Sequence, residues 1–185
     1  MVIDTLVKKG CRQTGIVAIP KDWEVKKMSN VAPLQRGFDL PTFQLKQGPF
    51  PVVYSNGILN FHDKAMAKAP GVVTGRSGTI GVVNYIEKDY WPHNTTLWVT
   101  DFNGNDEKYV YFLYSHLKIE RLSTGSGVPT LNRNDVHDIQ VSVPKSKTEQ
   151  TAIATNLSDT DPLIERMKKL IAKKKAIKQG AMQQL

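Results

Sequence analysis

Cysteine is nearly absent from this sequence: Cys11 stands alone among 185 residues. A single thiol excludes a disulfide framework and any zinc site built on several cysteines, and it fits a reducing compartment. Long apolar runs are also missing. No stretch approaches the ~18 apolar residues of a spanning helix, and residues 1–15 hold no apolar signal core, so neither a membrane span nor a secretory signal is expected. Acids are scarce beside bases. Seventeen Asp and Glu against 25 Lys and Arg leave a net +8, with a pI near 9.5. Such a surplus points to a polyanionic partner, either nucleic acid or an anionic membrane surface. The rest of the composition is that of a soluble globular chain about one domain long, expected in the cytoplasm and expected to bind nucleic acid.

Catalytic signatures are equally thin. The four histidines, His62, His93, His116 and His137, show no H-x-x-x-H spacing and no cysteine pair, so each reads as a surface or satisfied buried histidine rather than a metal ligand. Gly75, Gly78 and Gly81 fit neither a dinucleotide fingerprint nor a Walker A loop, and read as a tight strand-to-strand turn. No nucleophile elbow and no methyltransferase motif is present. Asp106-Glu107-Lys108, with Asp101 upstream, resembles the D-x-K end of a nuclease site, although a solvated turn explains it as well. A small metal-dependent nuclease using Asp101, Asp106 and Lys108 is therefore the enzymatic alternative, and a coiled-coil adaptor that never meets DNA is another.

What is present falls into two unlike parts. Residues 163–185 carry seven bases and one acid, a net +6, whereas the other 162 residues carry 18 bases and 16 acids, a net +2. Residues ~20–145 read as a mixed β domain. Val52-Val53-Tyr54 leads into Ser55-Asn56-Gly57, a hairpin signal. Val72-Val73-Thr74 and the run from Ile80 to Ile86 predict two strands about the turn at residues 75–78, and residues 95–102 and 139–143 predict two more. Residues 109–117 are apolar all round and ambiguous; Asp106 as a cap and Glu107 in the first turn favour a helix.

Residues 146–185 are helical in spacing. Ser146-Lys147-Thr148-Glu149 is a capping box that opens a short helix, and Ser158-Asp159-Thr160-Asp161 before Pro162 predicts a second start. Leu163, Met167, Leu170, Ile177 and Ala181 then recur as a seam of coiled-coil type, interrupted at Lys174. Residues 160–185 would form a rod of roughly 39 Å. One apolar stripe on a lone helix requires a partner. The lysines around it read either as phosphate grips or as the solvated back of the coiled coil. In the β part, Gln35-Arg36-Gly37, residues 75–79, residues 91–96 and residues 123–127 combine turns with planar or hydroxyl donors suited to phosphates and base edges, or serve as ordinary turns.

The ordered set of motifs resembles the specificity subunits of type I restriction-modification systems. Ile19-Pro20-x-Asp22-Trp23-Glu24-Val25 is similar to the family's opening segment, and Gly75-Arg76-Ser77-Gly78-Thr79-Ile80-Gly81 and Trp91-Pro92-x-Asn94-Thr95 to the middle of its target recognition domain. Gly125-Ser126-x-Val128-Pro129-x-Leu131 and Ile139-x-Val141-x-Val143-Pro144 resemble its end, and the segments 149–161 and 171–183 its spacer helix. The resemblance implies an α+β fold, with a mixed β-rich target recognition domain at residues 1–145 followed by a long C-terminal helix at 146–185 that forms an antiparallel coiled coil. It implies a non-catalytic subunit that reads double-stranded DNA and docks a modification methyltransferase and a restriction translocase. Those partners hold the S-adenosylmethionine, ATP and magnesium chemistry. Family members carry two recognition domains and two spacer helices, whereas this chain carries one of each, so a half-subunit acting as a homodimer is expected, with each copy reading one half-site; a truncated longer subunit is the alternative.

The resemblance also sorts the candidates. Gly75, Gly78, Gly81, Trp91 and Pro92 belong to the shared pattern and are expected to hold the fold. Arg76, Ser77, Thr79 and Ser126 are expected at phosphates. Gln35, Arg36, Asn60, His62, Lys64, His93 and Asn94 lie in idiosyncratic loops and are expected to read bases. Leu163, Met167, Leu170, Ile177 and Ala181 are expected at the dimer seam.

Overall fold

The Asn-Gly signal is used as a hairpin turn, and of its two residues only Gly57 takes a positive φ, +112°. The computed structural model describes residues 11–14, 17–125 and 127–182. Its strands run in chain order as β1 (Cys11–Thr14), β2 (Val17–Pro20), β3 (Trp23–Lys27), β4 (Leu34–Arg36), β5 (Phe50–Tyr54), β6 (Gly57–His62), β7 (Gly71–Gly75), β8 (Val83–Ile86), β9 (Trp91–Pro92), β10 (Thr96–Val99) and β11 (Gln140–Pro144). The α-helices are α1 (Met28–Val31), α2 (Glu107–His116), α3 (Arg133–His137) and α4 (Lys147–Met182).

The centre is an antiparallel four-stranded sheet in the order β4-β10-β7-β8. Neighbouring residues on its strands face opposite ways, and both faces are covered. Val72, Leu97 and Val99 join the core beneath α1, α2 and α3, whereas Val73 and Ile86 pack with Val53, Ala67 and Tyr90. That double burial explains why Val72-Val73 reads as a continuous apolar pair rather than as an alternating one. Val53 belongs to a second sheet, β6-β5-β9, in which β5 and β9 are parallel. The helix expected from residues 109–117 forms as α2. The Asp106 carboxylate caps it by accepting from the Tyr109 amide at 2.8 Å.

β3 pairs with β11, from Gln140 opposite Lys27 to Pro144 opposite Trp23, and so brings the early chain beside the start of α4. The capping box is half used. Ser146 Oγ accepts from the Glu149 amide at 3.4 Å, but the Glu149 carboxylate accepts from Trp23 Nε1 at 2.9 Å.

One expectation is corrected: α4 is a single helix of 36 residues, about 54 Å long at ~1.5 Å per residue. No second helix starts at Ser158. The hydroxyls of Ser158 and Thr160 turn back onto the carbonyls of Ala154 and Asn156 four residues earlier, at 2.8 and 2.6 Å, instead of capping a new N-terminus. Pro162 sits inside the helix, at the cost of one backbone hydrogen bond. The first turns of α4 belong to the globular core through Gln150 and Ala154, both 2% exposed. Beyond them the helix projects from the body. Leu163, Met167, Leu170 and Ile177 expose 55–62% of their surface, and Ile164 and Ile171 widen the stripe. Among the described residues, no helix is long and apolar enough to cross a membrane.

Candidate nucleic-acid interface

β4 is an edge strand of the central sheet, with Gln35 and Arg36 exposed opposite Trp98 and Leu97 of β10. The chain leaves it through Gly37, whose position permits no side chain: a Cβ there would run into the carbonyls of Pro92 and His93. That close approach lets the Gly37 amide donate to Thr96 O at 3.0 Å and the Phe38 amide to Pro92 O at 2.8 Å. The loop after β4 is thereby locked against residues 92–96.

Asp39 then stands between two of the predicted residues. Its carboxylate accepts from Arg36 Nη2 at 3.0 Å and from Asn94 Nδ2. Arg76 donates from Nη1 to the Asn94 carbonyl at 3.4 Å. The His93 ring lies 4.3 Å from that of Tyr54, and Tyr54 accepts from Asn60 Nδ2 at 3.2 Å. Arg36, Asn60, Arg76, His93 and Asn94, scattered over 59 positions of sequence, form two connected contact sets that meet at the adjacent residues His93 and Asn94. Burial holds the His93 imidazole below the usual histidine range, with Asp39 opposing and Arg36 reinforcing, so the ring is neutral near pH 7 and offers one donor and one acceptor.

Lys64 lies apart from that network, at a neighbouring recess of about 370 Å³ lined also by Phe43, Lys46, His62 and Trp91. His62 does not take the exposed place expected of a base reader. It is 5% exposed, its Nδ1 lies 3.2 Å from the Lys46 backbone, and its ring meets Trp91 edge-on at 5.1 Å. Trp91 in turn donates from Nε1 to the Phe38 carbonyl at 3.3 Å, so this aromatic pair supports the loop from below. Ser77 is fixed by its backbone, donating to Thr95 O at 3.1 Å and bridging to Thr130. Thr79 is exposed, and its carbonyl abuts Gly75 closely enough to bar a side chain there. Ser126 lies outside the described residues, as does the side chain of Ala181.

Sequence reasoning missed Asp39, Tyr54, Lys46 and Arg133. Asp39 had a usable signal, its three-residue spacing from Arg36, which suits an ion pair. Tyr54 read only as a strand residue. The enzymatic alternative loses its geometry. Asp101 accepts from the Asn103 amide in a turn at 2.7 Å, Asp106 is spent on the α2 cap and on Thr151, and the Lys108 ammonium lies 4.8 Å above the Tyr85 ring. Among the described residues, no three His, Cys, Asp or Glu side chains are grouped to hold a metal ion.

Comparison with known proteins gives this arrangement its context. The family model described as "Type I restriction modification DNA specificity domain" matches residues 20–176. The specificity subunit of the type I restriction enzyme MjaIX from Methanocaldococcus jannaschii is 27% identical, over 85% of this chain and 42% of its own length. The S subunit of a type I restriction-modification system from M. genitalium superposes with a TM-score of 0.66 at 20% identity, covering 78% of this chain and 40% of that one. The HsdS subunit from Thermoanaerobacter tengcongensis gives 0.66 at 12% identity, covering 86% and 42%. The chain thus spans less than half the length of these relatives. The structural likenesses show the shared α+β fold, a β-rich region followed by a long helix. With the family model matched over most of its length, the chain belongs to the type I restriction-modification DNA specificity domain family.

Proposed function

We propose that this chain is a sequence-specific DNA recognition subunit of a type I restriction-modification complex. Residues 1–145 read one half-site of double-stranded DNA, and residues 146–185 pair with a second copy. The observation that carries the reading is the Arg36–Asp39–Asn94 arrangement, in which planar donors from two distant segments are held on one surface by a shared carboxylate. Guanidinium and carboxamide groups match guanine and adenine edges in the major groove, and a pre-oriented set loses little side-chain freedom on binding. Gln35, Arg36, Asn60, Lys64, His93 and Asn94 are the base-facing candidates; Arg76, Ser77, Thr79 and Ser126 are assigned to phosphates.

The exposed stripe of Leu163, Met167, Leu170 and Ile177 supports an antiparallel homodimer about a two-fold axis, with two recognition domains at the ends of the paired helices. The same helices would dock the modification methyltransferase and the restriction translocase, in the cytoplasm. The chain itself carries out no catalysis and binds no cofactor; S-adenosylmethionine, ATP and magnesium are handled by those partners. Selection from random-sequence duplexes by the chain together with its modification subunit tests the reading. Enrichment of one interrupted sequence is expected, and a pool that stays random would overturn it.

A further inference from the structure

A third arginine reaches the surface beside the Arg36–Asp39 pair. Arg133 is the first residue of α3, far in sequence from the loops above, yet it lines one recess of about 330 Å³ with Arg36, Arg76, Thr130 and Asn132, over a floor of Leu97. The backbone around this recess is well tied. Arg36 and Thr74 lie on either side of Leu97 in adjacent ladders, which puts their strands about 10 Å apart at ~4.8 Å per step. The Leu131 amide donates to Arg76 O at 2.8 Å, and the Leu34 amide donates to His137 Nε2 at 2.9 Å, fastening both ends of the segment that carries Arg133.

The charges in this recess are unequal. Three guanidinium groups line it and no carboxylate does; Asp39, which accepts from Arg36 outside that lining, is already shared with Asn94. Arg76 is bonded only to a neutral carbonyl, and among the described residues no carboxylate pairs with Arg76 or Arg133. Like charges converging in one hollow repel unless an anion enters. A guanidinium fork matches a phosphate oxygen pair.

We infer that Arg76 and Arg133 form a clamp for one backbone phosphate of DNA. The inference rests on the DNA-recognition reading and divides the labour within it. Arg36, held by Asp39, stays available to a base edge, while the two uncompensated arginines fix the register of the domain on the duplex without reading sequence.

The test is a salt titration of the full chain together with its modification subunit on a pool of short random-sequence duplexes, comparing the wild type with Arg133→Ala and Arg133→Lys. Each neutralised phosphate contributes about 0.9 to the slope of log K against log salt. Arg133→Ala is expected to lower the slope by about 1 and to weaken all sequences alike, leaving the selected sequence unchanged, with Arg133→Lys keeping the slope. Thermal melting of each variant checks folding, and among the described residues the Arg133 side chain makes no hydrogen bond that the fold would lose. An unchanged slope in Arg133→Ala, with a wild type that still selects a sequence, overturns the clamp and leaves the recognition reading standing. A wild type that binds no duplex overturns both. A melting shift by inorganic phosphate that is lost in Arg133→Ala, without any change in DNA slope, makes the recess a free-anion site and also overturns the clamp.

Discussion

Gln150 of the long helix and Asn105 at the head of α2 form a buried amide pair, with Gln150 Nε2 donating to Asn105 Oδ1 at 2.8 Å. The same Nε2 donates to Pro144 O at 2.9 Å, and Gln150 Oε1 accepts from the Asp106 amide at 2.8 Å. Asn105 completes the set by donating to Val31 O at 3.0 Å and Phe102 O at 2.8 Å. One side chain thus ties α4 to the head of α2 and to the end of β11, and it sets the direction in which the helix projects.

Replacing Gln150 by leucine keeps the bulk but strands the Asp106 amide, Asn105 Oδ1 and Pro144 O without a partner. The expected loss is about 2–3 kcal/mol, since each buried polar group left unpaired costs about 1–3 kcal/mol and the site relaxes in part. Urea denaturation followed by tryptophan fluorescence measures it. A loss below about 0.5 kcal/mol would mean that the joint does not hold the helix.

Asn94 contributes its carboxamide to Asp39 and its carbonyl to Arg76. Asn94→Ala removes the first and keeps the second. It is expected to relax the preference at one base position by about 1–3 kcal/mol while leaving non-specific affinity nearly unchanged. Competition between single-base variants of the selected duplex reads the difference. An equal loss on every sequence would place Asn94 among the phosphate contacts instead.

His137 accepts the Leu34 amide at Nε2, which requires an unprotonated nitrogen. Burial, with Arg133 adding to it, holds this imidazole below the usual range. The unfolded chain therefore takes up the proton at a higher pH than the folded one. Stability is expected to be constant above pH ~6.5 and to fall as the pH drops from there through the lower folded value. Denaturation midpoints measured at several pH values should show this slope in the wild type and a shallower one in His137→Gln. Identical profiles would contradict it.

Leu170 lies mid-way along the exposed stripe. A charge at that position cannot be buried against a second helix without a large penalty. Sedimentation of the wild type is expected to give about twice the chain mass of 20.7 kDa, and Leu170→Asp is expected to sediment as the monomer. A wild type that stays monomeric at micromolar concentration would remove the two-fold arrangement.

The sequence made local features legible and left spatial ones hidden. The hairpin at Gly57 and the Asp106 cap follow from residue chemistry acting within a few positions, and so does the pairing of β7 with β8, although β8 starts at Val83 rather than Ile80 and the connection runs through residues 76–82. The break expected at Ser158 failed for a reason of the same local kind: short hydroxyl side chains satisfy either a free amide or a carbonyl one turn back, and only the surrounding helix decides which. Within the site, Arg36, Arg76 and Asn94 were visible as donors in loops. Asp39, which joins two of them, depends on Gly37 bringing two loops together, and no periodicity encodes that. His62 reads as a loop donor in the sequence, whereas it ends β6 with its ring turned inward against Trp91, a packing that no local pattern encodes.

The central claim is that two copies of this chain direct methylation to a symmetric, interrupted DNA sequence. Methylome sequencing of cells that express the chain together with its modification subunit measures this most directly. The account predicts a new methylated sequence with two identical inverted half-sites separated by a fixed spacer, absent when the chain is omitted. No new methylated sequence, or one whose two halves differ, would contradict it.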